Sequence, residues 1–149
     1  MMDEKRKSEL MQAAIEARRF AYAPYSHFQV GAALLTASGK VYRGCNIESA
    51  AFTPSNCAER TAIFKAVSEG ERDFAAVAIA AGPAGGPLVL TSPCGVCRQV
   101  MMEFVDDAGF EIILGTAPDR TKVYTLRELL PLGFGPSYVT SEEGEPGND

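Results

Sequence analysis

Residues 75–81, Ala-Ala-Val-Ala-Ile-Ala-Ala, form an unbroken apolar run. A run of this length is far short of the ~18 residues that a membrane span needs. It also lacks the alternation of a strand with one wet face, so it predicts a central strand buried on both sides. Such a strand must be covered twice, and the flanking sequence supplies the cover. Residues 4–22 place Leu10, Ala13, Ala14, Ala17, Phe20 and Ala21 at three-and-four spacing, which predicts an amphipathic helix ending before Pro24. Residues 28–35 read as a largely buried strand, Ser38-Gly39 as a hairpin turn and 41–45 as the returning antiparallel strand. A second helix is expected from Cys57 to Ser68, with Gly70 just past its end. Residues 82–87 read as a loop, and a third helix is expected from Pro93 or Cys94 to about Val105. Short strands at 111–114 and 122–125 and a helical turn at 126–130 complete the pattern. The alternation predicts an α/β fold in which a mixed sheet carries helices on its faces, with no repeat and no second domain.

Charge narrows the partners. The chain has 149 residues and a net charge of −5. Residues 140–149 contain Glu142, Glu143, Glu145 and Asp149 and no cation, so without these four acids the net charge is −1. The reading is therefore a single domain over 1–139 and an acidic, disordered tail over 140–149. Neither part offers the basic footprint that a polyanion requires, so no nucleic-acid partner is expected. The N-terminal residues MMDEKRKSEL carry charges with no apolar run behind them, so neither a secretory signal nor a membrane partner is expected.

Four cysteines, Cys45, Cys57, Cys94 and Cys97, in a chain of this length do not read as a disulfide scaffold. A reducing compartment, the cytoplasm, is expected. The single histidine, His27, excludes any mechanism that needs two histidines within one chain. Cys57-Ala58-Glu59-Arg60 and Pro93-Cys94-Gly95-Val96-Cys97-Arg98 each fall where a helix should begin. Helix N-termini favour thiolates, and three thiolates on two such ends suit a soft divalent cation. Other readings stand beside this one. Cys94-Gly95-Val96-Cys97 by itself suits thioredoxin-type redox chemistry, a closed four-cysteine site would recruit Cys45, and Cys45 at a strand end also reads as a small buried residue. Glu59 closes a capping box if Asn56 is the N-cap. Alternatively it is a catalyst, although residues two apart on a helix point about 200° apart. Cys57 and Glu59 can then share a site only if it lies over the end of the helix. Arg60 is either a solvated charge or a partial offset to the −1 of three thiolates and one Zn²⁺.

A Cys-or-His-x-Glu followed by Pro-Cys-x-x-Cys is the general signature of zinc deaminases. With Pro24-Tyr25-Ser26-His27-Phe28, Gly44-Cys45-Asn46-Ile47-Glu48, Cys57 to Ile63 and Glu128-Leu129-Leu130-Pro131 in the same order, the chain resembles the small homotetrameric zinc-dependent cytidine deaminases over roughly residues 8–138. The resemblance implies a three-layer α/β/α fold with a mixed five-stranded sheet, and one zinc per chain held by Cys57, Cys94 and Cys97. It implies hydrolytic deamination of cytidine and deoxycytidine in pyrimidine salvage, with Glu59 as proton shuttle and zinc-bound hydroxide as nucleophile. Asn46 and Glu48 would bind the ribose hydroxyls and Phe28 would pack on the pyrimidine. Ala50 and Phe52, in the loop 49–52, would contact a neighbouring subunit's substrate, and Phe134 would close over the base in another protomer's site. Ser49-Ala50-Ala51-Phe52 departs from the family's usual Asn-Ala-Ser/Cys-Tyr, removing an amide and a phenol from that contact. The alternatives are deamination of a related aminopyrimidine nucleoside or of RNA or DNA cytosine, and a non-catalytic or redox zinc protein.

Overall fold

The computed structural model describes residues 2–140; the expected acidic tail, beyond Thr140, lies outside the described residues. Five strands, β1 (Phe28–Thr36), β2 (Val41–Cys45), β3 (Phe74–Pro83), β4 (Glu111–Ala117) and β5 (Arg120–Thr125), form one sheet in the order β2-β1-β3-β4-β5. The apolar run therefore does occupy the central strand. β1 is antiparallel to β2 and β3, β3 is parallel to β4, and β4 is antiparallel to β5, so the sheet is mixed as expected.

The two-residue period of the strands sorts their side chains between two cores. Ala33, Leu35, Ala76, Ala78, Ala80 and Ile113 face α1 (Glu4–Ala17), which contributes Leu10, Met11 and Ala14. Ala32, Leu34, Val77, Ile79, Ile112 and Leu114 face α2 (Ala58–Ser68) and α3 (Gly95–Phe104), which contribute Ala62, Ile63, Cys97 and Met101. The result is the three-layer α/β/α arrangement. Two glycines bring helices against the sheet. A Cβ on Gly31 would lie 2.0 Å from the Ala14 carbonyl oxygen, and one on Gly44 would lie 2.4 Å from that of Ala58.

Several boundaries differ from the sequence reading. The first helix ends at Ala17, and Arg18–Phe20 tighten into a 3₁₀ turn. There the Arg18 guanidinium donates to the carbonyls of Gln29, Gly82 and Pro83 at 2.9, 2.8 and 2.8 Å. Phe20, expected on the buried stripe, is 75% exposed because the turn takes it out of the helical register. β4 and β5 run longer than expected and pair as a hairpin through residues 118–119, and α4 (Leu126–Leu129) begins with a Thr125–Glu128 capping box. A last short helix, α5 (Ser137–Thr140), has no counterpart in the sequence reading. Among the described residues no helix is long and apolar enough to cross a membrane.

Candidate active site

α2 follows β2 and α3 follows β3, and both of these strands run antiparallel to the β1 that lies between them. They therefore point the same way, and the two helices begin at the same end of the sheet on the same face. Cys57 is the N-cap of α2, and Cys94 is the N-cap of α3, with Cys97 in its first turn. The segment that delivers Cys57 is folded back by backbone bonds. Asn46 O accepts from Tyr22 at 2.9 Å, Glu48 N donates to Tyr22 O at 2.9 Å, and Ile47 and Asn56 exchange bonds of 3.0 and 2.8 Å.

The three sulfurs all lie within 4.8 Å of one another, and Cys57 Sγ stands 3.7 Å from Cys94 Sγ. Tetrahedral donors about 2.3 Å from one zinc stand ~3.8 Å apart, so the separation fits a shared ion. Cys94 Sγ also accepts from the Cys97 amide at 3.4 Å, the only side-chain cap that α3 has, whereas α2 has none. Arg60 Nη2 donates to Cys57 Sγ at 3.2 Å. The Cys57 thiol is pulled down to about 5, first by the hydrogen bond from Cys97 and then, against the cost of burial, by Arg60 and Cys94. A thiolate is the form a metal takes. Cys45, at the end of β2, is not in the cluster, so the closed four-cysteine alternative fails among the described residues. Cys57 completes the cluster, which a two-cysteine redox motif would leave unused. The three cysteines are a site for one zinc per chain.

Glu59 is the second residue of α2 and only 4% exposed. The capping-box alternative does not hold, because the N-cap is Cys57 and the Asn56 amide is taken by Ile47. Burial first, with the Cys57 charge adding to it, pushes the Glu59 carboxyl up to about 7. Glu59 is not a member of the sulfur cluster, and its carboxyl hydrogen-bonds with the Cys97 thiol beside it.

Cys57, Cys94, Glu59, Arg60, Asn46 and Glu48 line one cavity of about 280 Å³ over the two helix starts. Asn46 is half engaged: Oδ1 accepts from Val30 N at 2.9 Å and Nδ2 donates to Phe28 O at 2.8 Å. Glu48 Oε1 accepts from the amides of Tyr25 and Ser26 at 3.0 and 3.1 Å, and Oε2 accepts from the Ser26 hydroxyl. The Ser26 hydroxyl above all holds the Glu48 carboxyl below its ordinary range. Each side chain keeps spare bonding capacity, one N–H and one lone pair on Asn46 and about one acceptor site on Glu48.

Five predicted residues are not among those lining the cavity: Cys97, buried within the sulfur cluster, and four others. Phe28 is half-buried at the start of β1 and meets the site through its carbonyl. Ala50 sits in an exposed turn. Phe52, with φ of 60°, is 73% exposed and meets Tyr25 edge-on at 6.3 Å. Phe134 is 58% exposed and stacks on Tyr138 at 5.2 Å. Conversely, Val30, Ser55, Ile79, Thr91 and Ser92 line the cavity without having been singled out. For Thr91 and Ser92 the signal was present, since they run straight into Pro93-Cys94.

Comparison with known proteins agrees with this geometry. Residues 4–110 match the family described as the cytidine and deoxycytidylate deaminase zinc-binding region. The chain is 50% identical over 125 residues to a cytidine deaminase of Halalkalibacterium halodurans, covering 84% of this chain and 91% of the relative. It is 46% identical over 126 residues to one of Sporosarcina psychrophila, covering 85% and 89%. The crystal structure of a cytidine deaminase from Burkholderia pseudomallei superposes with a TM-score of 0.73 at 46% identity, covering 85% of this chain and 97% of that one. Matched over most of its length, and with the sulfurs of both cysteine segments gathered in one place, the chain belongs to the zinc-dependent cytidine and deoxycytidylate deaminase family.

Proposed function

We propose that this chain, through a single domain over 1–139, hydrolyses cytidine and deoxycytidine to uridine and deoxyuridine with release of ammonia. The observation that carries the reading is a buried carboxyl, Glu59, beside three clustered cysteine sulfurs but outside their cluster, in a cavity that also presents Asn46 and Glu48. When bound, zinc on three thiolates leaves a position open to water and lowers the pKa of that water towards ~7. Glu59 takes the water proton on a carboxylate oxygen and delivers it to N3 of the pyrimidine, which makes C4 electrophilic. Once the water oxygen has bonded to C4, Glu59 takes the remaining proton from that oxygen and passes it to the amine as the bond from C4 to the exocyclic nitrogen breaks, leaving the C4 carbonyl and ammonia. A carboxylate in a closed pocket suits successive transfers of this kind. Arg60, donating to Cys57, offsets part of the negative charge of the three thiolates.

Asn46 and Glu48 read the ribose through the capacity left after they hold Phe28, Val30, Tyr25 and Ser26 in place. A site built to bond a hydroxyl rejects the analogue that lacks it. A 5′-phosphate is also poorly accepted, since among the described residues Arg60 is the only cation lining the cavity and it is engaged with Cys57. Loss of cytidine absorbance on adding the purified protein tests the activity. Cytidine should turn over, with free cytosine and the 5′-monophosphate far slower; equal efficiency on cytosine and cytidine would remove the ribose-reading role of Asn46 and Glu48.

The same reading makes the enzyme a cytoplasmic homotetramer of pyrimidine salvage with shared sites. Phe28 packs on the base, while Ala50, Phe52 and Phe134 complete neighbouring sites. The exposure of Phe52 and Phe134, away from the chain's own cavity, supports this. Co-refolding inactive Phe134→Ala chains with inactive Glu59→Gln chains should restore part of the activity. An active monomer would dismiss the shared site.

A further inference from the structure

Ser92 and Pro93 precede the zinc ligand Cys94, and Thr91, Ser92 and Cys94 all face the cavity. This segment lies between the end of β3 and the start of α3 and belongs to no strand or helix. Among the described residues, the hydrogen bonds made by Ser92 and Pro93 all come from one side chain, Arg98. Its Nε donates to the Pro93 carbonyl at 2.7 Å, its Nη2 to the Ser92 hydroxyl at 2.9 Å, and its Nη1 to the Leu129 carbonyl at 2.6 Å. The Arg98 amide closes the first helical turn on the Cys94 carbonyl at 3.0 Å. One planar guanidinium therefore joins the residues before a metal ligand, the helix that starts at that ligand, and the end of α4.

We infer that Arg98 is a positioning residue for Cys94: its three-way fork holds the Thr91–Pro93 wall in register with α3, and so sets where the Cys94 sulfur stands relative to Cys57 and Cys97. The inference rests on the zinc site and extends the deaminase reading, without depending on the substrate assigned to it. The physical reason is the shape of the donor. A guanidinium presents its N–H groups in a fixed plane and can serve three separated acceptors at once, whereas a lysine ammonium is a point charge on a flexible stem. The acceptors are two carbonyls and a hydroxyl, so the fork acts through geometry rather than charge neutralisation. Partners that orient a metal ligand in this way typically change metal affinity by ~10–100-fold when removed.

Arg18 offers the matched control. It makes the same kind of fork, to the carbonyls of Gln29, Gly82 and Pro83, but holds strand ends and no zinc ligand. The experiment loads purified wild type, Arg98→Met, Arg98→Lys and Arg18→Met with zinc and follows its release to excess chelator, well below each protein's Tm. Arg98→Met should release zinc ~10–100-fold faster than wild type. Arg18→Met should keep the wild-type release rate even where its Tm falls. Arg98→Lys, which keeps stem and charge but loses the fork, should also release zinc faster, and it decides the matter if the methionine variant does not fold. Wild-type zinc retention in a folded Arg98 variant overturns the inference. So does equal acceleration in Arg18→Met, which would make the effect one of general stability. A wild type that retains zinc but leaves cytidine untouched would refute the deaminase reading and leave the role of Arg98 standing.

Discussion

Leu10, Met11 and Ala14 of α1 cover one face of the sheet; Ala62, Ile63 and Met101 of α2 and α3 cover the other. Both faces are built by the same alternation along β1 and β3, and each has a glycine, Gly31 or Gly44, where a helix backbone comes too close for a Cβ. They differ at the helix N-termini. α1 closes its own: Asp3 accepts from the Arg6 amide at 2.8 Å. α2 has no side-chain cap, and α3 has only the sulfur of Cys94. The positive ends of both helix dipoles thus lie at the cysteine cluster, where they favour thiolates. One face uses its helix start for stability, and the other leaves it open for chemistry.

Substitutions can break or sharpen this contrast. The largest effect is expected for Cys94→Ala, which should lose zinc and all measurable turnover together. Zinc content by elemental analysis checks it, and full metal in that variant would sink the ligand assignment. Next is Glu59→Gln, expected to keep one zinc per chain and a Tm no lower than wild type while turnover falls at least ~10²–10⁴-fold. A nearly active variant with a lowered Tm would return Glu59 to a structural role. On the opposite face, Met11→Ala empties a fully buried position and should cost about 2–5 kcal/mol in denaturant unfolding, with zinc still at one per folded chain. Loss of zinc from the folded protein would show that the faces are not independent. The smallest effect is Asp3→Ala, about 1 kcal/mol of stability from the lost cap with steady-state rates unchanged.

The cavity itself was partly legible beforehand. Asn46 and Glu48, two apart in extended chain, do line it together, as the two-residue period implies. What their side chains already hold was not legible, because Phe28, Val30, Tyr25 and Ser26 reach them through loop geometry rather than spacing. The end of α1 departs from the apolar periodicity for a related reason. Arg18 binds carbonyls of two strands, and those bonds accompany a change of helical pitch that no periodicity announces. Asn56 likewise had the chemistry of an N-cap, but its amide pairs with Ile47 and its side chain with Thr61, at 3.3 Å, so the cap falls one residue later.

By itself the sequence determined the elements and their chemistry. Apolar periods are local, so the central strand at 75–81, the helix faces and the shared helical turn of Cys94 and Cys97 could be read from neighbours in the chain. The family signature already named Cys57 as the partner of that pair, and only the tertiary structure shows how they meet. Cys57 lies 37 residues before Cys94 and meets it because β2 and β3 run the same way on either side of β1, which brings two helix starts to one end of one face. Cys45, closer to Cys57 in the chain, is left at a strand end outside the cluster. Strand order and direction arise from long-range pairing across the whole sheet, and no spacing within a single element encodes them.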